Sequence, residues 1–173
     1  MLQKFRDHFP IVSAESFVHE SAVLIGNVKV GRLSSIWPTV VLRGDMGAIQ
    51  IGDESSIQDG TIAHITEGFS ETIVGNRVTV GHRVILHGCV VEDECLIGMG
   101  SILLDNCVIG KGSLVAAGSL ITVGTHIPEN SLVMGSPAKV IRQVSDRERM
   151  MIEGGWQIYV AYTREYLSES YPR

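Results

Sequence analysis

The fold is decided by residues 91–121, which read VEDECL IGMGSI LLDNCV IGKGSL VAAGSL I. A large aliphatic residue returns at every sixth position of this stretch: Val91, Ile97, Leu103, Ile109, Val115 and Ile121. A period of six fits neither an α-helix nor an alternating strand that continues for a hundred residues. It fits short strands joined by bends, which stack into coils and form a core only with the neighbouring coils.

The same period extends over about residues 12–132. Towards the N-terminus the aliphatic positions are Val12, Val18, Leu24, Val30, Ile36, Leu42, Ile51, Ile57, Ala63, Val74, Val80 and Leu86. Insertions after Leu42 and Ala63 interrupt the period, and we expect both to form outward loops. A small or slim residue lies four residues after most of these aliphatic positions, which predicts a tight corner there. We expect Gly135–Val140 to close the solenoid.

Composition limits the kind of protein. The 173 residues are 45% hydrophobic and 19% charged, which is typical of one ordered domain. The net charge of −5 and the lack of a Lys/Arg run argue against nucleic-acid binding. No apolar run approaches the ~18 residues that span a bilayer. Three cysteines without disulfide spacing fit a reducing compartment, so we expect a soluble, cytoplasmic protein without membrane contact.

The C-terminal region differs from the repeats. Ser145 or Asp146 is suited to cap a helix, and apolar residues follow it at helical spacing. We therefore divide a single domain into a β-helix, 1–144, and a C-terminal helix, 145–173, that packs on the solenoid. Gly154 and Gly155 lie inside this helix, where we expect a break or kink.

We count each six-residue repeat as one rung of the solenoid, with three rungs in a coil. This count places two of the six histidines one above the other. The inward residues Leu42, Ala63 and Leu86 lie three rungs apart, so they stack in successive coils. His64 and His87 follow the last two directly and should share one corner, one strand spacing apart. Two imidazoles at that spacing can bind one metal ion, with Zn–N distances of about 2.0–2.1 Å.

His82 belongs to a different corner. Rung counting places it above Asp59 and beside Gln58, too far from His64 and His87 to join them within one chain. A third ligand must then come from a neighbouring subunit. A cyclic homotrimer with a closed, heterologous interface supplies such a ligand three times.

Two resemblances add detail to this interpretation. The hexads resemble those of left-handed parallel β-helix proteins, and the handedness is taken from that family. The segments Val41–Asp45, Ile57–Gly60, Ala63–His64 and Gly81–Cys89 resemble γ-class carbonic anhydrases and their relatives. This second resemblance covers nearly the whole chain and is more specific than the hexads alone.

The resemblance to γ-class carbonic anhydrases implies a role for each matching residue. His64, His82 and His87 would bind one divalent metal ion per subunit interface, with zinc expected and iron or cobalt as alternatives. The other roles are Gln58 orienting the metal-bound water, Tyr159 reaching the pocket, Arg43 pairing with Asp59 across the interface, and Asp45 supporting that network. The implied activity is the reversible hydration of CO2 to bicarbonate by a metal-bound hydroxide.

The chain departs from the best-characterised γ enzymes in one region. Those carry a long acidic loop after the first histidine and a Glu just past the Arg-Gly-Asp element. Here the loop, Thr66–Thr72, is short, and Met46 follows Asp45. Glu67 lies three residues after His64, so we keep it as a candidate proton shuttle.

Two other function classes stay open. Hexapeptide-repeat acyltransferases and CoA-thioesterases share the fold and use one histidine as a base, without a metal. A non-catalytic metal-binding trimer would bind the metal without turnover. Stoichiometric metal without acetyl-CoA binding argues against the first class, and measurable CO2 hydration argues against the second.

Overall fold

The computed structural model describes residues 1–168 as a parallel β-solenoid that ends in one α-helix. The strands of the first coils are β1 Leu2–Gln3, β2 Ile11–Val12, β3 Phe17–Val18, β4 Val23–Val30, β5 Ser35–Ile36, β6 Val41–Ile51, β7 Ser56–Ile57, β8 Ile62–His64, β9 Thr72–Val74 and β10 Thr79–Val80. The later elements are β11 Ile85–His87, β12 Val90–Val91, β13 Leu96–Ile97, β14 Ile102–Leu103, β15 Val108–Ile109, β16 Leu114–Val115, β17 Leu120–Ile121, β18 His126–Ile127, β19 Ser131–Gly135, β20 Ala138–Gln143 and α1 Asp146–Leu167. Residues 169–173 of the predicted C-terminal region lie outside the described residues.

The strands form a prism with three faces. Face one is built by β8, β11, β14 and β17, face two by β9, β12, β15 and β18, and face three by β7, β10, β13 and β16. Each of these strands pairs in parallel with the strand one coil away on the same face. The predicted aliphatic positions point inward and are buried, except that Val12 and Val18 in the first coil are only partly buried. The six-residue period therefore corresponds to one strand and one corner.

The first insertion is not an outward loop, so that prediction was wrong. Strand β6 continues from Val41 to Ile51 and pairs with β4 on both sides of the insertion, over residues 41–44 and 49–51. The register shifts so that Gly26 pairs with Gly44, whereas Val28 pairs with Ile49. Pairing with β4 before and after the corner holds the chain in place, so the extra residues form a bulge between the two paired segments. The second insertion, between β8 and β9, does form a turn outside the strands.

The buried corner residues are tied to the next coil by their side chains. Ser34 Oγ donates to the carbonyl of Gly52 at 2.6 Å and accepts from the backbone N–H of Ser55 at 3.0 Å. Ser55 repeats the arrangement one coil further, with Gly75 and Val78. Each hydroxyl is fully buried yet has both a donor and an acceptor partner, so it can lie inside without the cost of an unpaired polar group.

The solenoid is closed at its C-terminal end, as predicted for Gly135–Val140. Strand β20 pairs with β19 in antiparallel fashion. Ser145 then caps α1: its side chain accepts from the Glu148 backbone N–H, and the Glu148 carboxylate accepts from the Ser145 backbone N–H. The helix packs on face three, where Ile152 joins a cluster with Leu114, Leu132 and Val144. The predicted packing of an apolar helix face on the solenoid is confirmed.

The predicted break at Gly154 and Gly155 is wrong, because α1 is a continuous helix from Asp146 to Leu167. At Gly155 the helix backbone lies close against β10, and a Cβ there would be 3.1 Å from Thr79 Oγ1. A Cβ on Gly154 would meet nothing within 4 Å. Packing on the solenoid thus explains Gly155, whereas nothing in the structure explains Gly154.

Within residues 1–168 no helix is long and apolar enough to cross a lipid bilayer.

The two helix glycines allow a matched stability test. We expect Gly154→Ala to raise the free energy of unfolding by about 0.5–1 kcal/mol, because alanine favours the helix and the site is open. Gly155→Ala should gain less, since its methyl group is crowded by Thr79. Denaturant unfolding at one protein concentration measures both. Equal gains would show that the close approach at Gly155 has no energetic weight.

Candidate metal centre

His64 and His87 lie one above the other at the corner between faces one and two. They are direct register partners in β8 and β11, and their ring centroids are 5.4 Å apart. Thr72 fixes the backbone beneath them: its hydroxyl donates to the His64 carbonyl at 2.7 Å and accepts from the Gly88 N–H at 3.0 Å. The predicted stacking of the two histidines is confirmed.

Each of the three predicted ligands contacts a carboxylate of the same chain at 3.0 Å. His82 and His87 use Nδ1, bound to Asp59 Oδ2 and Asp105 Oδ2 respectively. A carboxylate at Nδ1 fixes the ring and leaves Nε2 free with its lone pair, the usual arrangement for a metal-binding histidine. These two side chains therefore fit a metal such as zinc.

His64 differs, because its Nε2 is the nitrogen held by Asp45 Oδ1. It would bind a metal through Nδ1, or through Nε2 after Asp45 turns away. Asp45 also accepts from Arg43 Nη1 at 2.7 Å. Burial acts to raise the pKa of Asp45, but the hydrogen bonds from Arg43 and His64 outweigh it and lower the pKa below its usual value. Within one chain Arg43 thus pairs with Asp45, and its pairing with Asp59 of a neighbour stays a prediction.

His82 lies at the corner between faces three and one. Val80 is in register with Ile57, as rung counting required, and the His82–Asp59 contact follows from that alignment. His82 is about half exposed, with 47% of its side chain accessible. In residues 1–168 no three His, Cys, Asp or Glu side chains come together in a way that could hold a metal ion. One chain therefore supplies two separate parts of the predicted site.

Two further predicted residues are Gln58, which lies near His82, and Tyr159, which lies on α1. Gln58 precedes Asp59 and is buried, with its backbone N–H bound to the Val80 carbonyl. Tyr159 packs edge-on against Trp37, with ring centroids 5.5 Å apart. Burial raises the pKa of Tyr159, and the negative charge of Asp59 raises it further. The structure thus groups Gln58, Asp59 and His82, and it places Tyr159 against Trp37. The catalytic roles of Gln58 and Tyr159 stay predictions.

Glu67 lies on the turn between β8 and β9. Its carboxylate is 3.9 Å from Arg6 Nη1, and 65% of its side chain is exposed. An exposed ion pair of this kind has little energetic weight, and the carboxylate is open to solvent. The proton-shuttle role of Glu67 stays a prediction.

Asp105 is a polar partner of the site that sequence reasoning missed. Besides His87, it accepts a hydrogen bond from Ser70 Oγ at 2.5 Å. Burial acts to raise the pKa of Asp105, but the hydrogen bonds from Ser70 and His87 outweigh it and lower the pKa. Leu103 is in register with Leu86, so Asp105 is aligned with Gly88, one position past His87. The rung count could therefore have placed Asp105 close to His87.

The three cysteines take no part in this centre. Cys89, Cys95 and Cys107 are free and buried in the core. Contact with Cys107 and burial raise the pKa of Cys89 well above its usual value, and burial raises that of Cys95 to about 12. Thiols in this state are packing groups and poor nucleophiles.

Comparison with known proteins gives the family. Residues 88–122 match the family described as bacterial transferase hexapeptide (six repeats). A Methanocaldococcus jannaschii protein named probable carbonic anhydrase is 48% identical over 150 residues, which are 87% of this chain and 94% of that protein. Gamma carbonic anhydrase 1, mitochondrial, of Arabidopsis thaliana is 41% identical over 95% of this chain and 62% of the plant protein. The chain belongs to the γ carbonic anhydrase family of hexapeptide-repeat proteins.

A solved structure supports the fold of this γ carbonic anhydrase family member. A Bacillus cereus protein, described provisionally as an acetyltransferase, superimposes with a TM-score of 0.94 and 38% identity over 96% of both chains. The predicted left-handed parallel β-helix with a C-terminal helix is confirmed.

The space beside Asp105 and Ser70 gives a second matched test. Gly88 and Gly100 both have left-handed backbones, with φ of +64° and +70°. A methyl group on Gly88 would overlap Ser70 Oγ and Asp105 Oδ1, whereas one on Gly100 would meet nothing within 4 Å. Gly100→Ala should cost about 1–2 kcal/mol of unfolding free energy, and Gly88→Ala at least about 1 kcal/mol more. Guanidinium unfolding at matched concentration measures both, and equal losses would contradict this account of Gly88.

Proposed function

We propose that the chain is a γ-class carbonic anhydrase whose metal site is shared between the subunits of a homotrimer. The observation that carries the proposal is the division of three histidines between two corners, His64 over His87 at one and His82 at the other, each against its own carboxylate. Family membership supports the same activity. CO2 and bicarbonate are the proposed substrate and product.

The surface between the two histidine corners favours the trimer. Strand β11 on face one begins just after His82 and ends at His87. The outward residues of face one form one aligned aliphatic column: Val23, Val41, Ile62, Ile85, Ile102 and Leu120. Ile62 and Ile102 are 43% and 38% exposed in the single chain. Since α1 covers face three, face one is the apolar surface with histidines at both edges, and a neighbouring subunit would bury it.

The donor set suits a divalent ion with imidazole ligands, and zinc is the ion we propose. Such an ion on three imidazoles lowers the pKa of a water molecule from 15.7 to about 7. Asp59 and Asp105 hold the rings of His82 and His87 through Nδ1, which leaves Nε2 of each ring to bind the metal. Gln58 would orient the attacking water from the His82 corner, and the phenol of Tyr159 would border the substrate pocket. These two roles are carried over from the family.

The activity is tested by stopped-flow CO2 hydration on protein loaded with zinc and, separately, with Fe(II) under anaerobic conditions. We expect hydration above the uncatalysed rate with at least one metal, and its loss in His87→Ala. A fully metallated trimer without hydration by either metal would support a non-catalytic metal-binding protein and contradict the proposal.

Sharing of the site between subunits predicts complementation. We expect His82→Ala and His87→Ala each to lose zinc when produced alone. When both are co-expressed in equal amounts, about one interface in four should combine His64 and His87 of one variant with His82 of the other. Plasma mass spectrometry of the whole co-expressed population should then recover roughly a quarter of the wild-type zinc.

The control for this experiment is the pair His64→Ala and His87→Ala. Both residues lie at the same corner, so no mixture of these two variants can rebuild a site. Zinc in the first mixture that does not exceed the mean of its separately produced variants would contradict a site shared between chains.

An acyltransferase is the second candidate function. The Bacillus cereus structure and the matched hexapeptide family favour it, since both descriptions refer to group transfer. This candidate predicts saturable acetyl-CoA binding to metal-free protein, measured by calorimetry. Binding of acetyl-CoA together with absence of stoichiometric metal would replace the carbonic anhydrase proposal by this one.

A further inference from the structure

Asp105 joins a histidine to a loop from a different coil. Its Oδ2 accepts from His87 Nδ1 at 3.0 Å and its Oδ1 accepts from Ser70 Oγ at 2.5 Å. The same Ser70 hydroxyl accepts a hydrogen bond of 3.1 Å from the backbone N–H of Thr66, which lies at the start of the turn. The carboxylate, with 15% of its side chain exposed, thus has one oxygen on the histidine and the other on the loop.

This arrangement differs from the carboxylates of the other two histidines. Asp59 is 46% exposed and contacts His82 from the surface. Asp45 is shared with Arg43, whose guanidinium competes for it. Among the three pairs, only the Asp105–His87 pair is both largely buried and bound at Nδ1. The Asp105 carboxylate is also enclosed, because Gly88 leaves room for it where any side chain would collide.

We propose that Asp105 is a positioning residue that fixes the ring and tautomer of His87, and that Ser70 on the turn between β8 and β9 holds Asp105 for this task. The inference rests on the proposed metal site and deepens it. Asp105 keeps the proton of His87 on Nδ1, so Nε2 carries the lone pair that a metal needs. Ser70 occupies the second oxygen, so the carboxylate cannot rotate away. The turn is thereby part of the metal centre although it supplies no ligand.

Two measurements test the proposal on the full-length chain. Cobalt(II) titration gives the metal affinity from the visible absorption of the bound ion. Long-range ¹H–¹⁵N spectra of the metal-free protein report which nitrogen of His87 carries the proton, a property that a merely structural role would not change. The variants are Asp105→Ala, Asp105→Asn and Ser70→Ala.

We expect Asp105→Ala to weaken cobalt binding about 10- to 100-fold and to release His87 from the Nδ1–H tautomer. Asp105→Asn should retain most of the affinity and the tautomer, because the amide oxygen still accepts from Nδ1 and the amide N–H can donate to Ser70. Ser70→Ala should give a smaller loss in affinity. The matched control is Asp93→Ala. The Asp93 carboxylate also links two coils, since it accepts a hydrogen bond from the Asn76 N–H at 2.7 Å, but it lies at a corner without these histidines.

Cobalt affinity of Asp105→Ala within about twofold of wild type overturns the proposal, and so does an equal loss in Asp93→Ala, which would indicate general weakening of the solenoid. If the wild type itself binds no cobalt, the proposed metal site is wrong. The positioning role of Asp105 is then tested by the His87 tautomer alone. A changed tautomer in metal-free Asp105→Ala then still supports the positioning of His87, whereas an unchanged one overturns it.

Discussion

Parallel stacking of one coil on the next is the constraint on which the rest of this protein depends. Every side chain on the surface of the prism stands where the backbone register places it, and a slip of one residue would exchange inward and outward positions. The pairing of Leu86 with Ala63 buries both residues and, in the same step, sets His87 on His64. Core packing and the geometry of the histidine pair therefore cannot vary independently.

Much of this arrangement could be predicted because the number of six-residue repeats before a residue gives the coil and the face on which it lies. Counting rungs predicted the His64–His87 pair, the separate corner of His82, and the position of the small residues at the corners. The count does not show how a corner accommodates extra residues. It therefore missed the bulge in β6, which pairing with β4 on both sides holds in place.

The polar partners of the histidines were only partly predictable for a similar reason. Asp59 lies one coil from His82 at the same position, and the count identifies it. Asp105 is one residue out of line with His87, and its link to Ser70 depends on the path of a turn that has no repeat. The uninterrupted α1 shows the same limit: the helix propensity of two glycines predicted a break, whereas packing against face three keeps the helix whole.

Closure of the solenoid by β19 and β20 has a consequence for how the molecule can associate. A stack of parallel coils has no inherent length limit, and an open last rung would offer its backbone to another molecule as a template for fibre growth. Here face three ends in the antiparallel strand β20, which pairs with the edge of β19, and the chain then turns back as α1 along the same face. The parallel stack therefore ends at that point. Growth along the axis is discouraged at this end of face three, so a copy that binds through a flank is free to close into a ring instead of extending a filament.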